Sequence, residues 1–438
     1  MLRTEENELL CRVGKGTPMG DLMRRYWLPA MLSSELPKPD CPPVRVLLLG
    51  ERLIAFRDTQ GQVGLLANHC PHRGASLFFG RNEGGGLRCV YHGWKFDAQG
   101  ACVDMPSEPP DSNFKTKVRA TAYPCHERNG VVWAYLGPRE NPPPLPDIEA
   151  NQLPKGEWQV AAIQRECNWV QGLEGDIDTS HFGFLHFGST DAEETEPDTF
   201  QYFTLKDRAP RYSVLDTEYG STYGAYRPAR PGTLYWRIAH FLFPFYAMIP
   251  TGVLGHQIVA RAWVPMDDEH TMWFGFSRQA PPPPQTQPDG KRRQPVLTPL
   301  LPNTSDWYGR FRLQADERND YNIDREWQRE GDYTGIEGIH TQDQAITESM
   351  GPIYDRTQEH LASSDAMVIR VRRRLLGAAR ALAEQGVVPP GAEDPTVYRQ
   401  RSGGIILDEG EDWIEATKEL RKAYVPHPEL DPAVAGRP

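Results

Sequence analysis

The chain contains no apolar run long enough to cross a membrane. A membrane-spanning helix needs about 20 consecutive apolar residues, and polar or charged residues interrupt every apolar stretch of the 438-residue sequence before that length. The first residues, MLRTEENELLCRVGKG, are rich in charge and lack the apolar centre of a signal peptide. We therefore expect a cytoplasmic protein without a membrane-spanning segment.

Clustered positive charge is absent as well. The 48 Lys and Arg residues are outnumbered by 59 Asp and Glu residues, which gives a formal net charge of −11, and no segment is dominated by basic residues. Because nucleic acids and anionic membranes bind clustered basic residues, neither is expected as a partner. The length of the chain favours two or three domains with ample core.

Cysteine is scarce: the seven cysteines are dispersed and odd in number, whereas a disulfide framework uses an even set in a short chain. A Gly-rich nucleotide-binding fingerprint between a strand and a helix is missing, and so is a second set of four cysteines. These absences predict a reducing compartment and place any NAD(P)H-oxidising reductase in a separate protein.

Two of the cysteines nevertheless belong to a metal-binding pattern. Cys70 and His72 lie in CPHRGA, Cys89 and His92 lie in CVYHGWKFD, and residues 73–88 separate the two pairs. Two thiolates and two imidazoles suit either a zinc ion or a [2Fe–2S] cluster with cysteines on one iron and histidines on the other. Zinc fingers keep their cysteines together and their histidines together, so the mixed order favours the cluster, with a structural zinc site as the alternative.

A second candidate metal motif is DTSHFGFLH, residues 178–186. Asp178 and His181 are three residues apart and share a helix face. His181 and His186 are five apart, and a regular helix would point them about 140° from each other, so we expect a bend or helix end near Gly183. Two histidines with one carboxylate form the facial triad of non-haem Fe(II) oxygenases. The alternative is two histidines that only fill an aromatic-rich surface.

Short β-rich runs predict two sheet-containing regions. Runs separated by Gly-containing turns continue from Val44 to Leu136 and predict a small antiparallel β domain that carries the Cys/His loops and ends at Pro142–Pro144. Runs at intervals of roughly 10–15 residues over 158–279 predict one large antiparallel sheet. The proline-rich stretch that begins at Pro281–Pro284 is expected to be a surface loop.

The remaining segments are predicted to be helical. Residues 1–40 have the pattern of an amphipathic helix and a turn, interrupted between Gly14 and Pro18. Beyond residue 300 the chain is predicted to be mainly helical. Its clearest helix covers Ser364 to Gln385, with one apolar stripe, and a last helix covers Glu411 to Ala423.

Taken together, CPH, CVYHGW and NWVQGLEGDIDTSHFGFLH resemble the catalytic α-subunit of Rieske non-haem iron ring-hydroxylating oxygenases. Three further stretches, ENELLCRVGKGTPMGDLMRRYWLPA, PPVRVLLLGE and QDQAITESMGPIYDRTQEHL, are similar to the phthalate-dioxygenase branch. The resemblance implies an α+β protein with an N-terminal antiparallel β Rieske domain and a helix-grip (START-like) catalytic domain with a central antiparallel sheet. The expected division is a helical segment that packs on the catalytic domain (1–40), the Rieske [2Fe–2S] domain (41–145) and the catalytic mononuclear iron domain (146–438).

The resemblance also implies the ligands of two iron centres. In the cluster, Cys70 and Cys89 hold one iron, and His72 and His92 hold the other. The mononuclear Fe(II) is held by the following three residues: His181, His186 and Asp343. Asp343 is the expected third ligand because TQDQAITE matches the family context, and Asp324 and Asp355 are the alternatives. The neighbouring His340 is expected to be a surface histidine beside a helix.

The resemblance also implies that electrons pass from one subunit to another. Asp178 resembles the bridging carboxylate of the family, which accepts hydrogen bonds from His181 of its own chain and from His92 of a neighbouring subunit. The implied assembly is a homotrimer or a dimer of trimers. Asn168 matches an amide near the iron, with a helix cap as the alternative, and Trp94 is expected to shield the cluster or to fill the core.

Substrate recognition is expected to involve arginine, which binds a carboxylate through paired hydrogen bonds. Six arginines lie in or beside the predicted sheet: Arg208, Arg211, Arg227, Arg230, Arg237 and Arg261. In phthalate-type enzymes a serine beside the histidine motif and arginines of this sheet meet the substrate. Ser180 and Arg208 match those positions, Arg237 is a third candidate, and solvent exposure is the alternative for each arginine. Four apolar residues are expected either to line an aromatic pocket or to be core: Phe184, Phe241, Phe243 and Met248.

The resemblance implies the terminal oxygenase component of a Rieske system. Such a dioxygenase uses O2 and electrons from a separate flavin and iron–sulfur reductase to dihydroxylate or hydroxylate an aromatic carboxylate of the phthalate, chlorobenzoate or indole-3-acetate class during aromatic catabolism. One alternative is a Rieske monooxygenase or O-demethylase of an aromatic acid. Another, from a different class, is an electron-transfer Rieske protein without oxygenase chemistry.

Overall fold

The computed structural model describes residues 1–138, 142–279 and 299–425, and the predicted loop at Pro281–Pro284 lies outside them. The helices are α1 Thr4–Cys11, α2 Pro18–Met23, α3 Trp169–Ile177, α4 Phe200–Lys206, α5 Arg325–Glu330, α6 Ile339–Ser349, α7 Ala366–Gln385 and α8 Trp413–Ala416. The strands up to residue 135 are β1 Trp27–Leu32, β2 Val44–Leu48, β3 Glu51–Arg57, β4 Val63–Ala67, β5 Arg81–Glu83, β6 Gly86–Arg88, β7 Lys95–Phe96, β8 Cys102–Asp104, β9 Ala122–Tyr123, β10 Cys125–Arg128 and β11 Val131–Tyr135. The later strands are β12 Trp158–Arg165, β13 Arg211–Asp216, β14 Gly220–Pro228, β15 Thr233–Leu242, β16 Tyr246–Met248, β17 Val259–Pro265, β18 Thr271–Arg278 and β19 Gly403–Asp408.

The N-terminal half folds as small antiparallel sheets. One four-stranded sheet has the order β2-β3-β4-β9 and another has the order β5-β6-β7-β8. The first Cys/His loop connects β4 to β5, and the second connects β6 to β7. A separate apolar core lies beneath both loops and includes Ile54, Phe56, Leu66, Leu77, Leu87 and Phe96. This core fixes the positions of both loops because close-packed interiors allow little displacement.

The second half is built around an eight-stranded antiparallel sheet. The order along the sheet is β12-β18-β17-β16-β15-β14-β13, and β19 also pairs with β15. β16 pairs with residues 240–242 of β15 and β19 pairs with residues 233–238, so the two strands lie beside successive parts of β15. The expected α+β architecture with a central antiparallel sheet is therefore confirmed.

Strand β19 lies in the part of the chain that was predicted to be mainly helical, and that prediction is wrong here. The strand has the sequence GGIILD, and its first five residues are buried. A short apolar run without alternation is compatible with either a buried strand or a buried helix segment. Pairing with β15 decides between them, and that partner is distant in sequence.

Helix α7 covers one part of the large sheet. The residues of the predicted apolar stripe are all buried: Met367, Val368, Val371, Leu375, Leu376 and Ala379. Complete burial of a Val or Leu side chain contributes about 1.5–3 kcal/mol, so this stripe holds α7 firmly against its neighbours. The helix ends at Gly386, whose φ of 70° is readily adopted by glycine.

The chain termini differ in detail from the prediction. Residues 1–40 contain two short helices, α1 and α2, which contact α7, and also the unpredicted strand β1, which pairs with β11. The last helix is only Trp413–Ala416 rather than Glu411–Ala423. Beyond its end, the Arg421 guanidinium donates to the Ile414 carbonyl at 2.9 Å. No helix within the three described ranges is long and apolar enough to cross a membrane.

Candidate metal centres and substrate site

The first Cys/His loop is a tight turn closed by Cys70. The Cys70 N–H donates to the Ala75 carbonyl at 2.8 Å, and the Cys70 carbonyl accepts from the Gly74 N–H at 2.9 Å. Gly74 has a φ of 75°, which glycine adopts without a steric penalty. The turn buries the Cys70 thiol and leaves His72 half-buried near its tip.

The second loop repeats this arrangement around Cys89. The Cys89 N–H donates to the Trp94 carbonyl at 2.8 Å, its carbonyl accepts from the Gly93 N–H at 3.0 Å, and Gly93 has a φ of 78°. Trp94 is buried in the core beneath the loops and stacks on the His72 ring at 4.3 Å between centroids. Trp94 therefore both covers a candidate cluster ligand and fills the core, so the two expectations for it are compatible.

The four candidate cluster residues fit a group larger than one metal ion. A tetrahedral zinc ion would bring its ligand atoms within about 4 Å of one another, yet no three of these residues present ligand atoms within 4.8 Å. The His72 and His92 rings lie together, with centroids 4.4 Å apart. The buried Nδ1 of His92 has no hydrogen-bond partner, and a bond to iron would satisfy this atom.

A second candidate centre forms where the segment after α3 meets α6. The ligand atoms of His181, His186 and Asp343 all lie within 4.8 Å of one another, and this is the only such group in the part of the chain that the structure describes. Asp343 Oδ1 lies 3.2 Å from His186 Nε2 and 3.8 Å from His181 Nε2. This donor set fits a mononuclear iron with open coordination positions.

The backbone bends where the spacing of the two histidines requires it. Residues His181–Gly183 form a short 3-10 helix rather than a continuation of α3. The His181 and His186 rings consequently face a common point, with centroids 5.0 Å apart and an interplanar angle of 78°. A regular helix would have separated them.

Gln342 orients one of these histidines and was not identified from the sequence. Its Oε1 lies 2.7 Å from His186 Nδ1, and its Nε2 donates to the Thr334 hydroxyl at 3.0 Å and the Ile336 carbonyl at 2.9 Å. Because the amide nitrogen is engaged in this way, Oε1 must accept from His186 Nδ1–H. His186 Nε2 is then left with a lone pair for a metal.

Asp178 lies at the end of α3 against the other histidine. Its Oδ2 is 3.4 Å from His181 Nδ1, and its Oδ1 accepts from the Ser180 N–H at 2.6 Å. Burial opposes its ionisation, but the hydrogen bonds from His181 and the backbone hold the pKa of the Asp178 carboxyl below its ordinary value. The side chain is 29% exposed, so its carboxylate can accept a further donor.

The two carboxylates considered as alternatives to Asp343 have other roles. Asp324 caps α5 by accepting from the Glu326 and Trp327 N–H groups at 2.9 Å. Asp355 is exposed and accepts from the Thr357 hydroxyl. Neither belongs to the group of three ligand atoms within 4.8 Å.

The expectation that His340 is a surface residue is wrong. Its side chain is buried in the first turn of α6, with its ring 4.9 Å from the Trp273 ring of β18. This strand packs over the start of the helix, so the position is covered. Burial lowers the pKa of His340 to about 3, assisted by the charges of Arg261 and Arg165.

Asn168 is fully buried and lies at the start of α3. Its Oδ1 accepts from the Val170 N–H at 3.1 Å and so caps α3. Its Nδ2 donates to the Cys11 carbonyl at 3.0 Å and the Asp268 carbonyl at 2.7 Å. These contacts support the helix-cap alternative for Asn168.

Two of the expected substrate residues lie close to the histidine segment. The Ser180 hydroxyl is 2.6 Å from the Tyr212 hydroxyl. Arg208 is half-buried; its Nη2 donates to the Thr190 carbonyl at 3.3 Å, and its guanidinium lies 5.0 Å from the centre of the Phe184 ring. Both side chains keep polar atoms that a ligand can use.

Arg237 is fully buried beside the same segment. Its Nη1 donates to the Thr179 hydroxyl, and its Nη2 donates to the Pro250 carbonyl at 3.2 Å. The guanidinium lies 4.6 Å from the Phe182 ring centre and 4.1 Å from that of Phe200. No carboxylate in the described residues forms an ion pair with Arg237, so its charge is available for a bound anion.

Three of the other sheet arginines have different surroundings. Arg261 forms an ion pair with the buried Asp176, and Arg230 lies 2.7 Å from Asp198. Arg211 is exposed on β13. These contacts give the three residues structural or surface roles.

A cavity of about 420 Å³ reaches the iron-ligand triad through Asp178, His181 and Asp343. It runs between α3, α6 and the start of α7, and Ser180, Arg208 and Arg237 are not among its lining residues. Four residues expected to line an aromatic pocket are also absent from it: Phe184, Phe241, Phe243 and Met248. The last three are core, and Phe184 is half exposed.

Comparison with known proteins decides the family. A model described as the Rieske [2Fe-2S] domain matches residues 26–124, and one described as LigXa C-terminal domain like matches residues 134–433. The 3-chlorobenzoate-3,4-dioxygenase oxygenase subunit of Comamonas testosteroni is 49% identical, with 97% of this chain and 100% of the relative covered. The chain belongs to the Rieske non-haem iron oxygenases.

Two further relatives support this assignment, and two solved structures share the fold. The phthalate 4,5-dioxygenase oxygenase subunit of Pseudomonas putida is 41% identical, with 94% of each chain covered. The 5,5'-dehydrodivanillate O-demethylase oxygenase subunit of Sphingobium is 36% identical over 86% of this chain and 80% of the relative. Dicamba monooxygenase shares the fold, with a TM-score of 0.54 and 18% identity over 83% of this chain and 99% of that chain. The terminal oxygenase of carbazole 1,9a-dioxygenase from Nocardioides aromaticivorans gives a TM-score of 0.51 and 18% identity over 86% and 97%.

The family membership confirms several predictions from the sequence. The chain is the oxygenase component of a Rieske system. Its cofactors are a Rieske [2Fe–2S] cluster and a mononuclear iron. The alternatives of a structural zinc site and of an electron-transfer protein without oxygenase chemistry are therefore excluded.

Proposed function

We propose that the chain hydroxylates or dihydroxylates an aromatic carboxylate with a mononuclear iron held by His181, His186 and Asp343. The observation that carries this proposal is the convergence of these three ligand atoms within 4.8 Å in a chain whose relatives are named for 3-chlorobenzoate and phthalate. A ferrous iron with this facial triad supplies O2 activation when it is bound. The chain's own residues then position the substrate.

Ser180, Arg208 and Arg237 are proposed to bind the substrate. Arg237 brings an unpaired buried charge next to aromatic rings, and Arg208 lies over Phe184 with its guanidinium partly accessible. An aromatic acid matches such a surface because its carboxylate pairs with guanidinium and its ring stacks on aromatic side chains. The half-buried Ser180 hydroxyl can donate to the same carboxylate.

Electrons are proposed to enter at the cluster ligands Cys70, His72, Cys89 and His92 and to pass through Asp178 of an adjacent subunit. Two apolar side chains support a protein contact at the cluster loops, since Val90 is 58% exposed and Tyr91 is 54% exposed. The assembly in this proposal is a homotrimer or a dimer of trimers. Its partner is a flavin and iron–sulfur reductase that oxidises NAD(P)H in the cytoplasm, and the pathway class is aromatic catabolism.

Substrate-dependent O2 uptake tests the proposal. The purified chain, loaded with iron and supplied with a matching reductase and NADH, is given 3-chlorobenzoate, phthalate and indole-3-acetate, with 3-chlorobenzamide as the neutral control. We expect O2 uptake and oxygenated product with at least one acid, and an iron content of about three per chain. Iron-replete protein that oxidises none of the acids would contradict the proposed substrate class.

Monooxygenation is the second candidate function, because a relative that covers most of the chain is named as an O-demethylase. Incubation with 18O2 separates the two reactions. A cis-diol product carries two labelled atoms, whereas hydroxylation inserts one and demethylation of a methoxy acid releases formaldehyde. We expect the doubly labelled product, and a singly labelled product would assign the monooxygenase activity instead.

A further inference from the structure

The two candidate histidine ligands of the cluster are covered by different side chains. The His72 ring stacks on Trp94, with 4.3 Å between centroids and an interplanar angle of 13°. The His92 ring instead lies 4.0 Å from the Tyr91 ring, and the two histidine rings meet edge-on at 4.4 Å. The pair of ligands therefore has one side towards Trp94 and another side towards Tyr91.

Trp94 connects His72 to the surface of the protein. Its Nε1 donates to the Ser107 hydroxyl at 3.1 Å, which fixes the indole ring. The Phe114 ring meets the Trp94 ring edge-on, with 6.1 Å between centroids, and Phe114 is 43% exposed whereas Trp94 is buried. A series of three rings, Phe114, Trp94 and His72, thus leads from solvent to a cluster ligand.

Exposed cations follow Phe114 in the sequence. Phe114–Lys117 form a short 3-10 helix, and Lys115, Lys117 and Arg119 are all exposed. None of the three forms an ion pair with a residue in the described ranges, and Arg119 donates to the Gln99 carbonyl at 2.8 Å. Phe114 and these three cations are called the Phe114 surface below.

The Phe114 surface keeps its positive charge in an acidic protein. The chain has a formal net charge of −11. Strand β8 contacts the short helix, but its Asp104 is already paired with Arg88 at 2.8 Å. The exposed acid nearest in the sequence, Asp111, lies outside the helix. Three unpaired cations beside an exposed aromatic ring attract an acidic protein, which the net charge of the chain would otherwise repel.

The proposed route by which the electron leaves the cluster does not use the Trp94 side. In the proposed function, His92 of one subunit faces Asp178 of its neighbour, so the exposed Tyr91 beside His92 lies towards that contact. His72, on the Trp94 side, has no such role. Because electron tunnelling weakens steeply with distance, a donor must dock close to one of the two histidines. The Phe114 surface provides a docking position near His72.

We propose that the Phe114 surface is the docking site of the electron donor, and that the donor is an acidic protein domain with a plant-type [2Fe–2S] cluster. The inference rests on the proposed function and gives the location and the charge of the reductase contact. Each encounter transfers one electron. The reduced cluster of the donor is oxidised, and the cluster held by Cys70, His72, Cys89 and His92 is reduced, while no covalent bond forms or breaks.

The rate of cluster reduction in the iron-loaded, full-length protein tests the docking site. The donor is an acidic plant-type [2Fe–2S] ferredoxin, reduced beforehand and mixed without O2, and rapid-freeze EPR follows the signal of the reduced Rieske cluster. In the double variant Lys115→Glu with Lys117→Glu, we expect the second-order rate constant to fall roughly 10- to 100-fold at low ionic strength, because electrostatic steering is reversed. The difference should shrink as salt is added, since salt screens exposed charges.

Two controls separate docking from other effects of the substitutions. The double variant Lys38→Glu with Lys155→Glu makes the same change in net charge at exposed positions outside the Phe114 surface, and its rate should stay within about threefold of the wild type. Photoreduced 5-deazariboflavin is a small uncharged donor that needs no docking, so it should reduce the wild type and both double variants at equal rates.

Equal ferredoxin rates in the wild type and the Lys115/Lys117 double variant would overturn the inference, and so would a wild-type protein that this ferredoxin does not reduce. Slower reduction of that variant by both donors, or a changed oligomeric state in light scattering, would also overturn it, because the lysines would then support the cluster or a contact between subunits. If ferredoxin reduction depends on the lysines but O2 uptake fails with every acid, the proposed function fails and the docking site stands. If O2 uptake is normal and the lysines have no effect, the docking site fails and the proposed function stands.

Discussion

The Oε1 of Gln342 lies 2.7 Å from the Nδ1 of His186. Gln342 is fully buried, and its amide nitrogen is held by Thr334 and Ile336. The amide therefore presents only an acceptor to the histidine. One residue of α6 thus sets the tautomer of a candidate iron ligand while its neighbour in sequence, Asp343, supplies another ligand.

Gln342→Leu should weaken binding of the mononuclear iron and spare the cluster. Loss of a partner that orients a metal-bound histidine typically costs 10- to 100-fold in metal affinity or activity. Titration of chelator-treated protein with Fe(II) measures the affinity, and the Rieske absorbance measures the cluster. Gln342→Glu is the matched control, since its carboxylate also accepts from His186. Equal iron affinity in the wild type and Gln342→Leu would show that Gln342 does not orient His186 for metal binding.

Asp343→Ala should lose the mononuclear iron, because it removes the only carboxylate of the group within 4.8 Å. Iron analysis is expected to fall from about three to about two atoms per chain, with an unchanged Rieske spectrum. Asp355→Ala, at an exposed position, is the control and should keep all of its iron. Full iron content in Asp343→Ala would assign the third ligand to another residue.

The fold could be predicted from the sequence where the pattern is local. The apolar stripe of α7 follows from helical spacing, and the strands over 158–279 follow from short β-rich runs between turns. Strands β1 and β19 were missed because their pairing partners, β11 and β15, are distant in sequence. Local composition contains no information about such partners.

For the candidate site, too, some features could be predicted from the sequence and others could not. The bend between His181 and His186 follows from their spacing, since five residues of regular helix would separate the two rings. The choice of Asp343 needed the family resemblance, because nothing in its local sequence distinguishes it from Asp324 or Asp355. The burial of His340 and the contact from Gln342 depend on how α6 packs against β18 and the histidine segment, so they became visible only in three dimensions.

Asp178→Asn should retain both metals and lose coupled turnover. The amide keeps the shape of the carboxylate, but it is uncharged and accepts hydrogen bonds more weakly, so the contact with His181 Nδ1 and the proposed link to a neighbouring cluster both weaken. We expect product formation to fall by at least about tenfold, while dithionite still reduces the cluster. Stopped-flow reoxidation of the reduced cluster in the presence of substrate and O2 measures the transfer directly. The exposed Asp191→Asn is the control, and wild-type reoxidation in Asp178→Asn would refute the bridging role.

Acid should destabilise the protein through His240, which is fully buried in β15. Its Nδ1 is 3.0 Å from the Tyr219 hydroxyl, and its Nε2 is 3.0 Å from the Arg401 carbonyl. Burial lowers the pKa of His240 to about 3. The hydrogen bond to the Arg401 carbonyl opposes this shift, and the charge of Arg421 adds a smaller lowering. The ordinary value is about 6.5, so below that pH the unfolded chain binds a proton that the folded chain excludes.

The contribution of His240 to the free energy of unfolding should therefore be constant above pH 6.5 and should fall as the pH drops towards 3. One such histidine contributes a loss of about 2 kcal/mol between pH 7 and pH 5. Urea unfolding at the two pH values measures it, and His240→Gln should reduce the difference between them by about that amount. His126→Gln, at an exposed position on β10, should leave the difference unchanged. An equal acid sensitivity in the wild type and His240→Gln would show that His240 is already protonated in the folded protein at pH 5.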